Sequence, residues 1–361
     1  MRIRSVEVEP LDVPLIEPFT IAIGKLERVA NLLVTVVLEN GVVGYGESAP
    51  FPVLNGEDQA TASAAIRSLA PSLIGEDAEE WRGLAAGLER RLWAQSAARA
   101  GLEIALADAA AKCTRRPLWR LFGVAGDAIE TDISIPLVEP ERTRVLAAAI
   151  SARGVRTIKL KVAGEVEPDI ARIVAAHQAA PRCRLTLDAN QGYDADGAIE
   201  LCDWLRIAGL PVALFEQPVP RHDDAALARV AAGAGIPVAA DEAVFRAHDL
   251  DRLAALRACQ VVNVKLMKSG PAEAQRIAAR ARHHGIGLMI GQMIETRLAT
   301  AAAAHFAAGL GGFTFVDLDT PLLLAEDPIA GGYVMDRGGY FLGDAPGHGC
   351  WPKGRTQGLL A

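Results

Sequence analysis

Three carboxylates in the second half of the chain could together hold a metal ion. Asp188, Glu216 and Asp241 each follow a short apolar run, at successive intervals of 28 and 25 residues. Three carboxylates held close together repel one another unless a cation lies between them. Oxygen ligands without histidine or thiolate favour Mg²⁺, with Mn²⁺ as the alternative, over zinc. The pattern therefore predicts a magnesium site; the competing interpretation is three separate surface carboxylates.

Three lysines could transfer protons beside such a site. Lys159 and Lys161 lie two residues apart, so they share one face of a strand, and Lys265 ends a later apolar run. A second cation, a metal ion and burial all favour the neutral amine that a base requires. With a substrate carboxylate on the metal, one lysine could remove the α-proton and the other return it on the opposite face, through an enediolate. This chemistry inverts a stereocentre.

These residues belong to a repeat that begins near residue 131. Short apolar runs end at intervals of 24 to 28 residues, and helix-length, alanine-rich segments separate them. Eight strand–helix units of this length close into a parallel barrel, with its active site at the C-terminal ends of the strands. An open doubly wound sheet is the alternative, but no glycine-rich fingerprint follows the first strand. The predicted strand ends, which should converge, are Ser134, Lys161, Asp188, Glu216, Asp241, Lys265, Gly291 and Asp317.

The first third of the chain has a different pattern. Apolar runs at 32–38 and 42–45 flank the turn signal Glu39-Asn40-Gly41, and helical segments follow from about residue 58 to residue 122. We therefore expect an α+β capping domain at 1–125 and a catalytic barrel at 126–325. The remaining segment, 326–361, is expected to return to the capping domain.

Three polar residues lie close to the predicted ligands and bases. Asn190 shares a strand face with Asp188, and Glu242 follows Asp241. Both are expected to orient the metal ligands or a lysine through hydrogen bonds. Lys268 begins the segment after the sixth strand, and we expect it to be a solvated side chain.

Composition excludes several classes of function. The chain is 51% apolar and 22% charged, as in ordinary globular proteins, and its net charge of −7 argues against nucleic-acid binding. It has no secretion signal and no apolar segment of membrane-spanning length. Its five cysteines include no CxxC pair, which argues against a zinc site or a disulfide framework. We expect a cytoplasmic homo-oligomer that acts on a small molecule and binds neither nucleic acid nor membranes.

The motifs around the candidate residues resemble those of the enolase superfamily, in its muconate lactonizing enzyme subgroup, over essentially the whole chain. The resemblance implies an α/β fold, a (β/α)7β TIM-like barrel with an N-terminal α+β capping domain. It also implies magnesium on the three carboxylates and Lys161 and Lys265 as the two bases, with Lys159 assisting Lys161. The motifs are Lys159-Leu160-Lys161, Asp188-Ala189-Asn190, Phe215-Glu216-Gln217-Pro218, Ala240-Asp241-Glu242 and Asn263-Val264-Lys265-Leu266-Met267-Lys268.

Two further segments look like those of the dipeptide epimerases, Met293-Ile294-Glu295-Thr296 and Asp317-Leu318-Asp319. In that family the two aspartates bind the substrate's α-ammonium group, and alternate residues on one strand would place both on the same face. The resemblance implies inversion of the α-carbon of the C-terminal residue of an L,L-dipeptide. The alternatives are o-succinylbenzoate synthase and N-acylamino-acid racemase, or a barrel that binds a ligand without catalysis.

The same resemblance bears on specificity. Members that act on alanyl-glutamate carry an arginine where this chain has Gly24, although Lys25 is adjacent. We therefore expect the second residue of the substrate to be apolar or uncharged. The residues expected to contact it are Ile23, Gly24, Phe51, Val53 and Met293, with Phe19, Ile21 and Leu54 completing an apolar pocket.

Overall fold

The computed structural model describes residues 1–21 and 24–358. It opens with a three-stranded antiparallel sheet of β1 (Ile3–Ile21), β2 (Gly24–Leu38) and β3 (Val43–Ser48). The predicted turn joins the last two strands. Gly41 has a φ of 86°, and its N–H donates to the carbonyl of Leu38. Glycine adopts this left-handed conformation without steric cost, which explains its place in the turn.

Helices cover one face of this sheet, and the longest of them lies unusually close to it. A Cβ atom added at Gly46 would lie 2.1 Å from the carbonyl oxygen of Gly101, so only glycine permits this approach. The helices of this part are α1 (Pro52–Asn55), α2 (Gln59–Leu69), α3 (Trp81–Arg91), α4 (Ser96–Cys113) and α5 (Trp119–Phe122).

After the short strand β4 (Ala128–Glu130), an eight-stranded parallel sheet fills the second part of the chain. Its first and last strands meet where the N–H of Asp132 donates to the carbonyl of Val316 at 2.9 Å. The strands are β5 (Ile133–Ile135), β6 (Thr157–Lys161), β7 (Arg184–Asp188), β8 (Val212–Glu216), β9 (Val238–Ala240), β10 (Val261–Lys265), β11 (Gly287–Gly291) and β12 (Phe313–Val316).

Seven helices connect these eight strands, so the predicted (β/α)7β arrangement is confirmed. Their apolar faces bury the sheet from outside, as expected where parallel strands read as nearly continuous apolar runs. Within the described residues, no helix is both long and apolar enough to cross a bilayer. The helices are α6 (Pro140–Ala152), α7 (Val166–Ala179), α8 (Ala195–Ile207), α9 (Asp224–Gly233), α10 (Ala247–Ala255), α11 (Leu266–His284) and α12 (Arg297–Leu310).

The strand ends agree closely with the predicted positions. Strands β6, β7, β8, β10 and β11 end at the predicted residue. Strand β5 ends one residue after Ser134, while β9 and β12 end one residue before Asp241 and Asp317. The carboxylates and lysines therefore meet at one mouth of the barrel.

The last part of the chain contacts both preceding parts. Strands β13 (Ile329–Gly331) and β16 (Cys350–Pro352) pair with each other, while β14 (Val334–Asp336) and β15 (Gly339–Phe341) extend a sheet with β4. The N–H of Leu118 donates to the carbonyl of Gly347 at 2.7 Å, and Nε2 of His348 lies 2.9 Å from the carbonyl of Tyr45. These bonds attach the C-terminal segment to the N-terminal part.

Candidate active site

Strands β6 to β10 carry six buried charged side chains at their C-terminal ends. None of the six is more than 9% exposed, although each carries a group that water solvates strongly. Burial on this scale requires opposite charges close by, which the alternation of lysines and carboxylates provides. The six residues are Lys159, Lys161, Asp188, Glu216, Asp241 and Lys265.

Lys159 lies at the centre of this cluster. Its Nζ is 2.8 Å from Oδ2 of Asp188, 2.8 Å from Oε2 of Glu216 and 2.5 Å from Oδ2 of Asp317. Burial disfavours the charged amine, but Asp188 and Asp317 outweigh it and hold the pKa of Lys159 well above its ordinary value. One ammonium group therefore joins the barrel's second strand to its third, fourth and last.

Lys161 is held by two neighbours at the cavity wall. Its Nζ lies 2.6 Å from Oδ2 of Asp188 and donates to Oδ1 of Asn190 at 2.9 Å. The amide nitrogen of Asn190 donates in turn to Glu242 at 3.2 Å. Burial, with the charge of Asp241, raises the pKa of Glu242 to about 7. The structure thus brings both predicted supporting residues, Asn190 and Glu242, into contact with the lysine network.

Lys265 faces the same region from β10. Its Nζ lies 2.7 Å from Oδ2 of Asp241. Burial alone would lower the pKa of this amine, but the carboxylates of Asp241 and Glu216 outweigh burial and raise it. The expectation that burial and a second cation favour the neutral amine is therefore wrong for Lys265, because carboxylates pair with its ammonium group.

The prediction of a solvated Lys268 is wrong. Its side chain is 2% exposed, and its Nζ lies 2.7 Å from Oδ1 of Asp241 and 2.9 Å from the carbonyl of Asn263. Helix α11 begins directly after β10, so its first turn stays at the barrel mouth. Lys268 therefore contacts one carboxylate oxygen of Asp241, and Lys265 contacts the other.

The three predicted ligands offer oxygens that suit a hard cation. Oε2 of Glu216 and Oδ2 of Asp241 are buried and accept no hydrogen bond of normal geometry, despite the nearby lysines. The other oxygen of Glu216 accepts from Nδ2 of Asn263 at 2.6 Å, which fixes the carboxylate plane. Lysine ammonium groups lie between the three carboxylates. Among residues 1–21 and 24–358, no three His, Cys, Asp or Glu side chains lie close enough together to hold a metal ion. The donor chemistry nevertheless fits magnesium, because carboxylate oxygens are the ligands that it prefers.

The electrostatics differ among these acids. Burial opposes ionisation of Asp188, but Lys159 and Lys161 outweigh it and hold its pKa below the ordinary range. Asp241 behaves in the same way beside its lysines. In Glu216, burial and the charge of Asp188 prevail, and its pKa rises to about 8.

Lys161 and Lys265 line one cavity beneath the N-terminal part of the chain. Its polar wall consists of Asn190, Glu242 and Gln292, and its apolar wall consists of Phe19, Leu26, Phe51, Leu54, Met293 and Ile294. Of the predicted contact residues, Phe51 and Met293 are therefore present.

Val53, a third predicted contact residue, lies elsewhere. Val53 is 54% exposed and lines a second cavity, so its expected contact with the substrate pocket is not seen. The short helix α1 turns this side chain away from the lysines. Gly24 begins β2 opposite Ile21, and Ile23 lies outside the described residues.

Asp317 and Asp319 are both buried, at 7% and 2% exposure, but they do not alternate on one strand. Strand β12 ends at Val316, and Asp319 adopts helical angles (φ −97°, ψ −3°) at the start of a 3₁₀ turn. Oδ2 of Asp319 accepts from the N–H of Ser134 at 2.6 Å, whereas Asp317 contacts Lys159. Burial, together with the charge of Asp317, raises the pKa of Asp319 to about 6.

Two members of the site were missed by the sequence interpretation. Asp132 is 3% exposed, one of its oxygens has no hydrogen-bond partner, and burial with the charge of Asp317 raises its pKa well above the ordinary value. Asn263 holds Glu216 in place. Both could have been found, because each lies two residues before a marked strand end, Ser134 or Lys265, and therefore shares its face.

Comparison with protein families identifies this architecture. Residues 3–123 match the model of the mandelate racemase/muconate lactonizing enzyme N-terminal domain, and residues 142–355 match the enolase C-terminal domain-like model. The chain belongs to the enolase superfamily. The predicted resemblance to this superfamily is confirmed.

Individual relatives within the superfamily are dipeptide epimerases. The chain is 45% identical to an aromatic dipeptide epimerase of Herpetosiphon aurantiacus, over 96% of this chain and 98% of that protein. It is 33% identical to the L-Ala-D/L-Glu epimerase of Bacillus subtilis, over 97% of this chain and 96% of that protein. The structure of a dipeptide epimerase from Enterococcus faecalis with Mg and L-Leu-L-Tyr superimposes with a TM-score of 0.94 at 33% identity, covering 97% and 99% of the two chains.

Proposed function

We propose that this chain is a magnesium-dependent dipeptide epimerase that inverts the α-carbon of the C-terminal residue of L,L-dipeptides. One observation carries the proposal: Lys161 and Lys265 line a single cavity, from strands β6 and β10 on opposite sides of the eight-stranded barrel. A substrate α-carbon between them would be open to one amine on each face. The names of the relatives support the dipeptide as substrate.

Asp188, Glu216 and Asp241 are the residues that would hold magnesium. When bound, the ion supplies positive charge next to the substrate carboxylate, which acidifies the α-proton and stabilises the charge left behind. Two of the three acids present a buried carboxylate oxygen that a lysine ammonium group touches without a well-aligned hydrogen bond. Asn263 and Lys268 fix the orientations of Glu216 and Asp241, so this chain preorganises its ligand oxygens.

The two lysines would divide the proton transfer. The neutral amine of one accepts the α-proton, and the ammonium group of the other donates a proton to the opposite face of the same carbon. Asn190 holds Lys161 by a 2.9 Å hydrogen bond, which keeps its Nζ directed towards the cavity. Lys159 touches three carboxylates and does not line the cavity wall, so it acts through its charge beside Lys161.

Asp317 and Asp319 would bind the α-ammonium group of the dipeptide. Both side chains are buried. One carboxylate oxygen of Asp319 accepts a hydrogen bond from the N–H of Ser134, and its other oxygen takes no part in that bond. Lys159 already pairs with Asp317, so Asp319 is the acid left for the substrate's cation, and a blocked amino group would remove that partner.

The cavity wall indicates the preferred second residue. Six apolar side chains form it, so an apolar or uncharged side chain is favoured there. An aromatic dipeptide epimerase among the relatives agrees with this preference.

Mass spectrometry of a dipeptide library in heavy water with Mg²⁺ tests the proposal. Free dipeptides with an apolar second residue should gain one deuterium at the α-carbon of that residue. N-succinyl amino acids supplied in the same mixture should exchange more slowly. Faster exchange of the succinylated compounds would favour N-acylamino-acid racemase, and no exchange of any compound would favour a non-catalytic binding barrel.

A further inference from the structure

A second cavity, of about 400 Å³, lies between the N-terminal part and the barrel. One side is formed by residues 52–56 and the segment around Trp93, and the other by the barrel loops that carry Arg221 and Arg246. Four of the described residues that line it are basic and none is acidic, although the whole chain has a net charge of −7. The basic residues are Arg99, Arg221, Arg246 and Lys268.

Arg99 is the most unusual of these residues. It lies on α4, its side chain is 1% exposed, and Nη2 donates to the carbonyl of Ser269 at 2.5 Å. Its Nε and Nη1 atoms are buried without any hydrogen-bond partner. The nearest carboxylate oxygen, on Glu103, is 3.6 Å from Nε, beyond hydrogen-bonding distance. Leaving donors of a buried guanidinium unsatisfied is costly, so this group is suited to an acceptor from outside the chain.

The other three cations differ in how far they are neutralised. Lys268 is paired with Asp241, and Arg246 is paired with Glu89 at 2.8 Å while its guanidinium stacks over Trp93 at 3.6 Å. The guanidinium of Arg221 donates to the carbonyl of Leu54 at 2.6 Å, and no ion pair joins it to a carboxylate of the described residues. Arg99, which is ion-paired with Glu103, therefore leaves two donors for a ligand, and Arg221 leaves donors and positive charge on the other side of the cavity.

We propose that this cavity binds a small oxyanion, a phosphate or carboxylate group, which ties the N-terminal part to the barrel through Arg99 and Arg221. The planar guanidinium group offers paired N–H donors, which two oxygens of a carboxylate or phosphate can accept together. The cavity volume accommodates an anion of this size together with water. The proposal concerns a different cavity from the one lined by Lys161 and Lys265, and it does not depend on epimerase activity.

Calorimetric titration of the full chain with inorganic phosphate tests this site directly. The chain is freed of metal beforehand on a chelating resin, so that phosphate held through a metal ion does not contribute and no soluble carboxylate competes for the cavity. Thermal unfolding with increasing phosphate gives a second readout, because a ligand of the folded state raises the midpoint. The variants are Arg99→Gln and Arg221→Gln, and the matched control is Arg206→Gln, an exposed arginine of α8 paired with Asp203.

Phosphate should bind wild type and the Arg206→Gln control equally, and each cavity variant about tenfold more weakly, as expected for a lost charge-assisted hydrogen bond. A parallel titration with succinate shows whether the cavity prefers a carboxylate or a phosphate, because the preferred anion has the lower Kd. If Arg99→Gln does not fold, the exposed Arg221→Gln tests the proposal alone. The proposal is overturned if neither anion binds wild type, or if Arg206→Gln weakens binding as much as Arg221→Gln.

Discussion

Lys161 and Lys265 reach one cavity from strands that are separated by three others in either direction around the barrel. Their Nζ atoms pair with different carboxylates, Asp188 at 2.6 Å and Asp241 at 2.7 Å. Each amine therefore has its own carboxylate partner. A substrate α-carbon placed between the two amines would be open to proton transfer on either face.

Replacing either lysine should separate the two half-reactions. Lys161→Ala and Lys265→Ala should each lower epimerisation by about 10²- to 10⁴-fold or more, the contribution of a positioned acid or base. Each variant should still exchange the α-proton of the one epimer that faces the remaining lysine. Proton NMR in heavy water, started from each pure epimer, measures both rates.

The exposed Lys353 provides the matched control for these variants. Lys353→Ala should epimerise at the wild-type rate. Wild-type epimerisation by either Lys161→Ala or Lys265→Ala would refute the assignment of two bases.

Metal removal should stop proton exchange without unfolding the chain. A chelator should abolish turnover, and added Mg²⁺ should restore it, because the lysines alone do not acidify the substrate. Glu216→Gln keeps the shape of the side chain but removes a ligand charge, so it should need more Mg²⁺ and turn over far more slowly. Circular dichroism should show the same fold, and the exposed Glu200→Gln should behave as wild type. Full activity in the chelated enzyme would contradict the proposed metal site.

Asp319 should determine the preference for a free amino terminus. Asp319→Asn can still accept the Ser134 hydrogen bond, but it loses the charge that would pair with the substrate ammonium. We expect kcat/KM for a free dipeptide to fall about tenfold or more, with a much smaller change for its N-succinyl form. Asp344→Asn, whose side chain is 84% exposed, is the control. An equal loss for both substrates would show that Asp319 has only a structural role.

Glu103 should make the chain less stable as pH rises. Burial raises its pKa from 4.5 to about 7, so the folded state binds this proton more tightly than the unfolded state. The contribution of Glu103 to the free energy of unfolding is fully present below pH 4.5 and is lost between pH 4.5 and about 7. The total loss is on the order of 3 kcal/mol. In Glu103→Gln the free energy of unfolding should therefore fall less between pH 5 and pH 8.

Urea unfolding at several pH values measures this dependence. The exposed Glu200→Gln should retain the wild-type slope. A slope in Glu103→Gln as steep as in wild type would show that other groups cause the pH dependence.

The barrel could be predicted from the sequence because its period is set by chain geometry. A strand and a returning helix need about the same number of residues each time, so Lys161, Asp188, Glu216 and Lys265 mark strand ends correctly. Asn190 also reaches Lys161, but β7 ends at Asp188, so strand alternation does not place it there. The barrel's period depends on the backbone repeat, which a sequence displays directly.

Other features depended on three-dimensional pairing, which spacing does not reveal. Lys268 is buried because the first turn of α11 faces Asp241, and the pKa of Lys265 rises because carboxylates outweigh burial. Val53 points away because of the orientation of one short helix. Strand β12 ends before both Asp317 and Asp319, so they do not alternate as predicted. For the two lysines the deciding contact lies far away in sequence.

The most direct test follows deuterium at the C-terminal α-carbon of one L,L-dipeptide with an apolar second residue, incubated with the chain and Mg²⁺ in heavy water. NMR resolves the two epimers and their labelling over time. The two-lysine account predicts that the L,D product carries solvent deuterium from the first turnovers, while the remaining L,L substrate is still largely unlabelled. Inversion with retention of the original proton, or the absence of both inversion and exchange, would contradict it.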